Sequence, residues 1–240
     1  MSSMIRESAM PRAVSVAAPD VRATFIRKTY LHLAAAIAAF VALEIWFFST
    51  PAIVKPILEF VVGGQYRWLM VLGAFLVAGW LARSLAANVD SVPLQYLGLA
   101  LYVVAEVVIF VPILFIALFY VQDPTLLPTA AALTCSLFIG LTAVVFITRK
   151  DFSFLGGILT LGGLVALGLI VAGVLFGFTL GLLFSGFMVA LACGAILYDT
   201  SKILHSYPPD RHVAASLELF ASVAILFWYV LRILMHFSRR

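Results

Sequence analysis

The sequence predicts an all-α, multi-pass membrane protein whose chain crosses the bilayer about seven times as helices. Of its 240 residues, 64% are hydrophobic and 11% are charged, whereas soluble domains are near half apolar and a quarter charged. The apolar residues fall into runs of about 20 residues or more, the length that a helix needs to span a bilayer. Helices are expected because a backbone in lipid must satisfy its own hydrogen bonds.

Seven apolar spans follow a polar N-terminal segment. Residues 1–24 are expected to form a mobile cytoplasmic tail, and residues 25–240 form the transmembrane domain. No apolar stretch with a cleavage site precedes Arg27, so we expect an anchor flank and not a signal peptide. Only small and turn-tolerant residues mark the boundary between the fifth and sixth spans, at residues 178–181, so these spans are either joined tightly or wrongly divided. The predicted spans are 28–48, 67–87, 93–120, 127–148, 154–179, 181–200 and 213–236.

The positions of the basic residues predict a cytoplasmic N-terminus. With that orientation, ten of the 15 Lys and Arg residues lie on the inner side and five on the outer side. The basic C-terminus conflicts with an odd number of crossings. A re-entrant last segment would resolve the conflict, but that segment is long and almost wholly apolar, so we expect a full crossing.

One layer near the cytoplasmic side collects polar and ionisable side chains from four spans. At about 1.5 Å of rise per residue, His32, Arg83, Asp199, Glu218 and Ser222 fall at similar depth. This placement allows an ion pair between Asp199 and Arg83. Alternatively, the Asp199 and Arg83 side chains each extend to the membrane interface and do not pair. Glu218 is alternatively a carboxylate exposed at a helix N-terminus. For His32, the two alternatives are a structural hydrogen bond and proton sensing.

Three further ionisable residues lie deeper or toward the outer side. Glu106 falls near the middle of the third span without an obvious partner, so it is either protonated against other helices or lines a wet cavity. Glu44 and Arg232 both lie toward the outer side, where they are able to pair. Charges within spans are costly, so each is a functional hypothesis.

Glycines in the fifth span predict close helix packing. They stand at positions 156, 157, 162, 163 and 168, followed by 173 and 177. Small residues let two helix backbones approach each other closely in lipid. We therefore expect packing here and not a ligand site.

Enzyme chemistry is not indicated. The sequence has no Ser-His-Asp spacing, HExxH motif, P-loop or dinucleotide fingerprint. Cys135 and Cys193 lie in apolar runs, so neither a disulfide nor a cysteine metal site is expected. The net charge of +4 comes mainly from the N-terminal segment and calls for no nucleic-acid partner. No cofactor is expected.

Five motifs in order resemble the transmembrane Bax inhibitor motif family, over about residues 25–237. The segment 197–204, LYDTSKIL, is similar to the Y-D-T signature of that family. The short length and short polar tail resemble its bacterial branch. The other four segments are FIRKTYLHL at 25–33, TRKDFSFLG at 148–156, LFSG at 183–186 and LFWYVLRIL at 226–234.

The resemblance implies a fold of seven helices in which six surround the last, and a calcium leak whose opening depends on pH. It also implies a pair of aspartates near the cytoplasmic side and an arginine of the second span that latches the first aspartate. Asp199 matches the first aspartate by motif, and Arg83 matches the latch by span and depth. For the bacterial branch, it implies the inner membrane.

The second aspartate of that family is absent. Ser222 stands at its position, and a serine adds a hydrogen bond but no charge. Glu218 lies four residues earlier on the same helix face and is able to substitute. We hypothesise a weakened or shifted pH response; a steep gating transition near neutral pH that vanishes in Asp199→Asn would contradict it.

Two functions follow from the sequence. The first is a pH-modulated calcium leak in which Asp199, Arg83, Ser222 and Glu218 form the gate. The second is a non-conducting protein that modulates a membrane protease or a stress or cell-death pathway. The expected partners are therefore the lipid bilayer, calcium as transported ion, and a membrane protease or other membrane protein. Asp199 alone is a poor calcium ligand set, because Ca²⁺ prefers about 6–8 oxygens.

Overall fold

The chain forms an array of α-helices, described over residues 13–238 in a computed structural model. Within these residues no β-strand occurs. A 3₁₀ turn, Val14–Val16, precedes the first helix, and a π-helical turn, Ile116–Val121, extends the fourth. The helices are α1 Pro19–Ser49, α2 Pro51–Val62, α3 Gln65–Ala86, α4 Val92–Phe115, α5 Leu126–Thr148, α6 Leu155–Phe176, α7 Leu182–His205 and α8 His212–Ser238.

Seven of these helices, α1 and α3–α8, are long and apolar enough to cross a membrane. They correspond in order to the predicted spans, so the predicted fold class is confirmed. The last helix is unbroken over 27 residues, or about 40 Å, as expected for a full crossing. The tight connection between the fifth and sixth spans is also present, since residues 177–181 alone join α6 to α7 and Gly177 there has a φ of 73°.

The short helix α2 is a feature that the span prediction does not contain. Its 12 residues give about 18 Å, too short to cross a bilayer. The sequence Ser49-Thr50-Pro51 ends α1 but also starts α2, because proline is favoured in the first turn of a helix, where its missing amide costs nothing. Helix α2 packs against α1, α3 and α4.

Helix α8 lies at the centre of the bundle. Buried residues occur along its length from Val213 to Met235, and it packs against α1, α3, α4, α5 and α7. Helix α6 packs instead on α7 and α3, and it forms the wall of a cavity, described below, that is also lined by α8. Five of the six surrounding spans therefore contact the central helix, α3 less than the other four.

Part of the predicted mobile tail is packed against the bundle. Helix α1 begins at Pro19, and the Val14 side chain is fully buried. The Val14 amide donates a 2.8 Å hydrogen bond to the Tyr207 carbonyl in the loop between α7 and α8. The remainder of the predicted tail, residues 1–12, lies outside the described residues.

Close helix packing occurs at only some of the predicted glycines. A Cβ at Gly162 would lie 2.5 Å from a Leu191 methyl, and one at Gly156 would lie 3.1 Å from the Tyr198 ring, so both face α7. Positions 157, 163, 168 and 177 have no neighbour within 4 Å. The tightest backbone contact is at Gly98 of α4, where a Cβ would lie 2.5 Å from the Ala82 carbonyl oxygen of α3.

Candidate functional site

A hydrogen bond between α7 and α8 connects the motif aspartate to the serine at the second aspartate position. Ser222 Oγ donates to Asp199 Oδ2 over 2.6 Å. Both residues are buried, with exposed fractions of 6% and 7% respectively. The hairpin α7–α8 places them face to face because the two helices are antiparallel and joined by a short loop. The site therefore contains one carboxylate and one hydroxyl.

A salt bridge lies one helical turn farther toward the loop between α7 and α8. Lys202 Nζ is 2.8 Å from Glu218 Oε2. The same ammonium lies 5.2 Å from the Tyr198 ring centroid and 5.1 Å from that of Tyr207, distances typical of cation–π contacts. Lys202 follows Asp199 by three residues and Glu218 precedes Ser222 by four, so the two contacts are stacked along one interface.

Tyr207 forms part of the wall around this salt bridge. It lies in the loop between α7 and α8, and its side chain is buried. Burial, together with the nearby Glu218 carboxylate, raises the pKa of the Tyr207 hydroxyl well above its ordinary value. The tyrosine therefore stays neutral at physiological pH and contributes a ring face to Lys202.

Arg83 does not pair with Asp199 in this structure, which differs from the expected latch. Among residues 13–238, the salt bridge within 4 Å is the one between Lys202 and Glu218. The Arg83 guanidinium lies over the Tyr102 ring, 5.1 Å from its centroid. The reason is that α3 packs mainly along α4, which carries Tyr102, while Ser222 occupies one oxygen of the Asp199 carboxylate.

Glu106 is buried and lines a cavity of about 500 Å³ between α3, α4, α6, α7 and α8. Most of the lining is aliphatic or aromatic, including Trp68, Phe110 and Trp228. The two charged residues of the lining are Glu106 and Arg232. Glu106 therefore lines a cavity, while the choice between a protonated Glu106 and a wet cavity stays a prediction.

Glu44 and Arg232 do not form the pair that their depth allows. The Arg232 guanidinium donates instead to the Leu180 carbonyl, because the short α6–α7 connection brings that carbonyl beside α8. Glu44 is buried on α1, and neither of its carboxyl oxygens has a hydrogen-bond partner among the described residues.

His32 joins α1 to α4 and contacts the start of α8. Its Nε2 lies 2.8 Å from the Tyr96 hydroxyl and its Nδ1 lies 2.7 Å from the Lys28 carbonyl oxygen. Because a carbonyl only accepts, Nδ1 carries a proton. The His212 ring lies 4.9 Å away, centroid to centroid. These contacts support the structural alternative, and proton sensing by His32 stays a prediction.

The sequence analysis did not predict two sets of polar side chains near the site. Ser201 Oγ accepts from the Phe152 amide at 2.9 Å and lies 3.4 Å from Asp151 Oδ1, which ties the α5–α6 loop to α7. The hydroxyls of Tyr30, Thr142 and Thr200 are buried without partners among the described residues. Ser201 belongs to the Y-D-T segment 197–204, and Asp151 belongs to the segment 148–156 that follows the fourth span. Only the tertiary structure shows that these two side chains lie close together.

The described residues contain no group of three or more His, Cys, Asp or Glu side chains arranged to hold a metal ion. At Asp199 the hydrogen-bond partner is the Ser222 hydroxyl, and the charges of Glu218, Lys202 and Arg83 act on the carboxylate through space. Calcium coordination at Asp199 therefore stays a prediction.

Comparison with known proteins gives the same family over most of the chain. The family described as "Inhibitor of apoptosis-promoting Bax1" matches residues 22–239. The chain is 30% identical to "Bax inhibitor 1" of Schizosaccharomyces pombe over 227 residues, which cover 92% of this chain and 79% of the yeast protein. No solved structure shows a significant match.

Two shorter similarities cover about half of each protein. "Modulator of FtsH protease YccA" of Escherichia coli K12 is 36% identical over 107 residues, 44% of this chain and 48% of that protein. "Protein lifeguard 4" of Mus musculus is 31% identical over 116 residues, 47% of this chain and 48% of that protein. The seven membrane-spanning helices, the Asp199 site and the match over residues 22–239 show together that this integral membrane protein belongs to the Bax inhibitor family.

Proposed function

We propose that the protein is a pH-modulated calcium leak channel of the bacterial inner membrane, with its N-terminus in the cytoplasm. The observation that carries the proposal is the buried Asp199 carboxylate, held by Ser222 of the central helix. A carboxylate is costly to place inside a membrane protein, and carboxylates found there mark ion pathways or proton relays. In this proposal the structure corresponds to a closed state.

The gate is the interface between α7 and α8. Separation of Asp199 from Ser222 frees a carboxylate to attract cations, and the Lys202–Glu218 salt bridge opposes that separation one turn away. Beyond the gate, the cavity lined by Glu106 supplies an acidic side chain at depth. The cation route in this proposal runs along α8 between these two carboxylates.

The pH response of this gate differs from that of an aspartate pair. Two carboxylates in contact share protons and titrate as a coupled unit, whereas Ser222 does not titrate. Glu218 is the nearest acidic side chain on α8, but it is engaged with Lys202. We therefore expect a shallower pH dependence of the leak, controlled by Asp199 alone.

Calcium flux into dye-loaded liposomes that contain the purified protein tests the proposal. Wild type, Asp199→Asn and Ser222→Asp are compared, with Asp210→Asn as the matched control because Asp210 is an exposed aspartate beside the same hairpin. We expect wild type to conduct, Asp199→Asn to change the rate and the control to behave as wild type. A silent wild type would contradict the leak.

A second candidate is modulation of a membrane protease. The observation that favours it is the similarity to the protein named as a modulator of the FtsH protease, together with the missing second aspartate. Silent wild-type liposomes, with flux appearing only in Ser222→Asp, would move this function to first place. Its own test is the degradation rate of a reporter substrate by a membrane protease of the FtsH class, co-reconstituted with and without the protein.

A further inference from the structure

A small cavity of about 130 Å³ lies between the C-terminus of α3 and the N-terminus of α8, at the end of the bundle where α1 begins. We call it the arginine pocket. It is separate from the large cavity at Glu106, with no lining residue in common. Its lining residues are Arg83, Ala86, Ala87, Tyr207, Arg211, Ala214, Leu217 and Glu218.

Two arginine side chains line this pocket, the partly buried Arg211 and the exposed Arg83, whose guanidinium also lies over the Tyr102 ring. Neither Arg83 nor Arg211 lies within 4 Å of an acidic side chain among residues 13–238. The Nε of Arg211 is buried and has no hydrogen-bond partner there. A buried donor without a partner destabilises the protein, so an acceptor in the pocket would be favoured.

The backbone around the pocket adds further donors. Ala214 belongs to the first turn of α8, whose first intrahelical hydrogen bonds begin with the Ala215 amide donating to the Arg211 carbonyl at 3.1 Å. The backbone amides that precede Ala215 in α8 have no acceptor within the helix, and the helix dipole places partial positive charge at this end. A helix start of this kind combined with guanidinium groups suits an oxyanion.

The single acidic residue of the lining does not cancel this charge. The Glu218 carboxylate is neutralised by Lys202, whose Nζ lies 2.8 Å from Oε2. The volume corresponds to about four water molecules at roughly 30 Å³ each, which is room for one tetrahedral oxyanion. Ala86, Ala87 and Leu217 form the apolar wall.

We propose that the arginine pocket binds a phosphate-class oxyanion, either free inorganic phosphate or the phosphomonoester headgroup of an acidic lipid. Arg83 and Arg211 hold two of its oxygens, and the first turn of α8 faces a third. The proposal does not depend on ion conduction, and its test reads binding and not flux.

The test uses full-length protein in nanodiscs of phosphatidylcholine at low salt. In the first experiment, inorganic phosphate is titrated and the thermal unfolding temperature is measured. In the second, phosphatidic acid is added to the nanodiscs and the retained lipids are counted by native mass spectrometry. Phosphatidylglycerol, a phosphodiester, is the comparison lipid. We expect wild type to bind at least one probe, and Arg211→Gln to weaken that binding tenfold or more. Lys150→Gln is the matched control, because Lys150 is an exposed basic residue of the α5–α6 loop.

Each outcome has a definite meaning. Where Arg211→Gln weakens the binding, binding of phosphate alone assigns a soluble ion and retention of phosphatidic acid alone assigns a lipid headgroup. Binding that Arg211→Gln leaves unchanged overturns the proposal. Failure of folded wild type to bind either probe overturns the proposal whatever the variants do. An equal loss in Lys150→Gln also overturns it, because binding would then reflect the general basic charge of that membrane face.

Discussion

Ser222 Oγ lies 2.6 Å from Asp199 Oδ2, so a buried hydroxyl of the central helix stands where the family resemblance predicts a second carboxylate. The contact joins α7 to α8 at the level of the Y-D-T motif. Since Ser222 brings no charge, the negative charge at this contact depends on Asp199 alone, and the stability of the interface depends on a hydrogen bond.

Loss of that hydroxyl is expected to destabilise the protein. Ser222→Ala leaves a buried carboxylate oxygen without its donor, and we expect a decrease of about 1.5–3 kcal/mol in the free energy of unfolding. Chemical denaturation in detergent micelles measures the change. Ser136→Ala is the control, because the exposed Ser136 hydroxyl bonds only to the Ala132 carbonyl of its own helix. Equal stability of Ser222→Ala and wild type would contradict the expectation.

Lys202 and Glu218 are expected to be more strongly coupled in energy than Arg83 and Asp199. A double-mutant cycle with Lys202→Gln and Glu218→Gln should give a coupling of about 0.5–1 kcal/mol, since the pair is about 30% exposed and partly screened. The corresponding cycle with Arg83→Gln and Asp199→Asn should give a smaller coupling, because the two charges form no salt bridge and interact only through space. A larger coupling in the second cycle would show that the latch forms in solution.

The contact between α3 and α4 is expected to tolerate no side chain at Gly98. Gly98→Ala places a methyl group against the Ala82 carbonyl and the Ala86 amide, at 2.5 and 2.6 Å, and both atoms belong to backbone. We expect a loss of about 1–3 kcal/mol from overpacking. Gly140→Ala on α5 is the control, because nothing lies within 4 Å of its Cβ and the higher helix propensity of alanine should stabilise it slightly. Thermal unfolding in micelles separates the two results.

Glu44 is expected to lower the stability of the native protein. Its carboxyl oxygens are buried without hydrogen-bond partners among residues 13–238, so Glu44→Leu should raise the free energy of unfolding by about 1–3 kcal/mol. Glu59→Leu on α2 replaces an exposed glutamate and should leave stability nearly unchanged. A decrease in stability for Glu44→Leu would indicate a partner for Glu44 in the membrane.

The α5–α6 loop is expected to loosen when Asp151 is neutralised. The Ser153 amide donates to Asp151 at 2.9 Å, and this hydrogen bond, despite a smaller opposing effect of desolvation, lowers the pKa of the exposed Asp151 carboxyl below its ordinary value. A lowered folded-state pKa gives stability above the unfolded value of about 3.9 that is lost as the pH falls through the folded value.

Asp151→Asn should therefore reduce the unfolding temperature slightly at pH 7 and have no effect in strong acid. Ser201→Ala should increase tryptic cleavage after Arg149 and Lys150, because Ser201 Oγ holds the Phe152 amide. An effect of Asp151→Asn that is independent of pH would contradict the role of the ionised carboxylate.

The sequence by itself determined the class of fold and the depth of the polar layer. Apolar run length depends only on local composition, so seven spans were predictable, and a rise of about 1.5 Å per residue placed Asp199, Ser222 and Glu218 at one level. The motif at 197–204 identified the family, because a contiguous sequence pattern is recognised without tertiary information.

Partner choice among these side chains was decided by the tertiary structure. Depth fixes one coordinate, whereas a salt bridge also needs the rotation and neighbours of each helix. Arg83 and Asp199 share a level, but the packing of α3 on α4 directs Arg83 toward Tyr102, while Lys202 contacts Glu218. Glu44 and Arg232 likewise share a side of the membrane, yet the α6–α7 loop supplies the carbonyl that Arg232 binds. The close approach at Gly98 depended on the same rotation, which hydropathy does not encode.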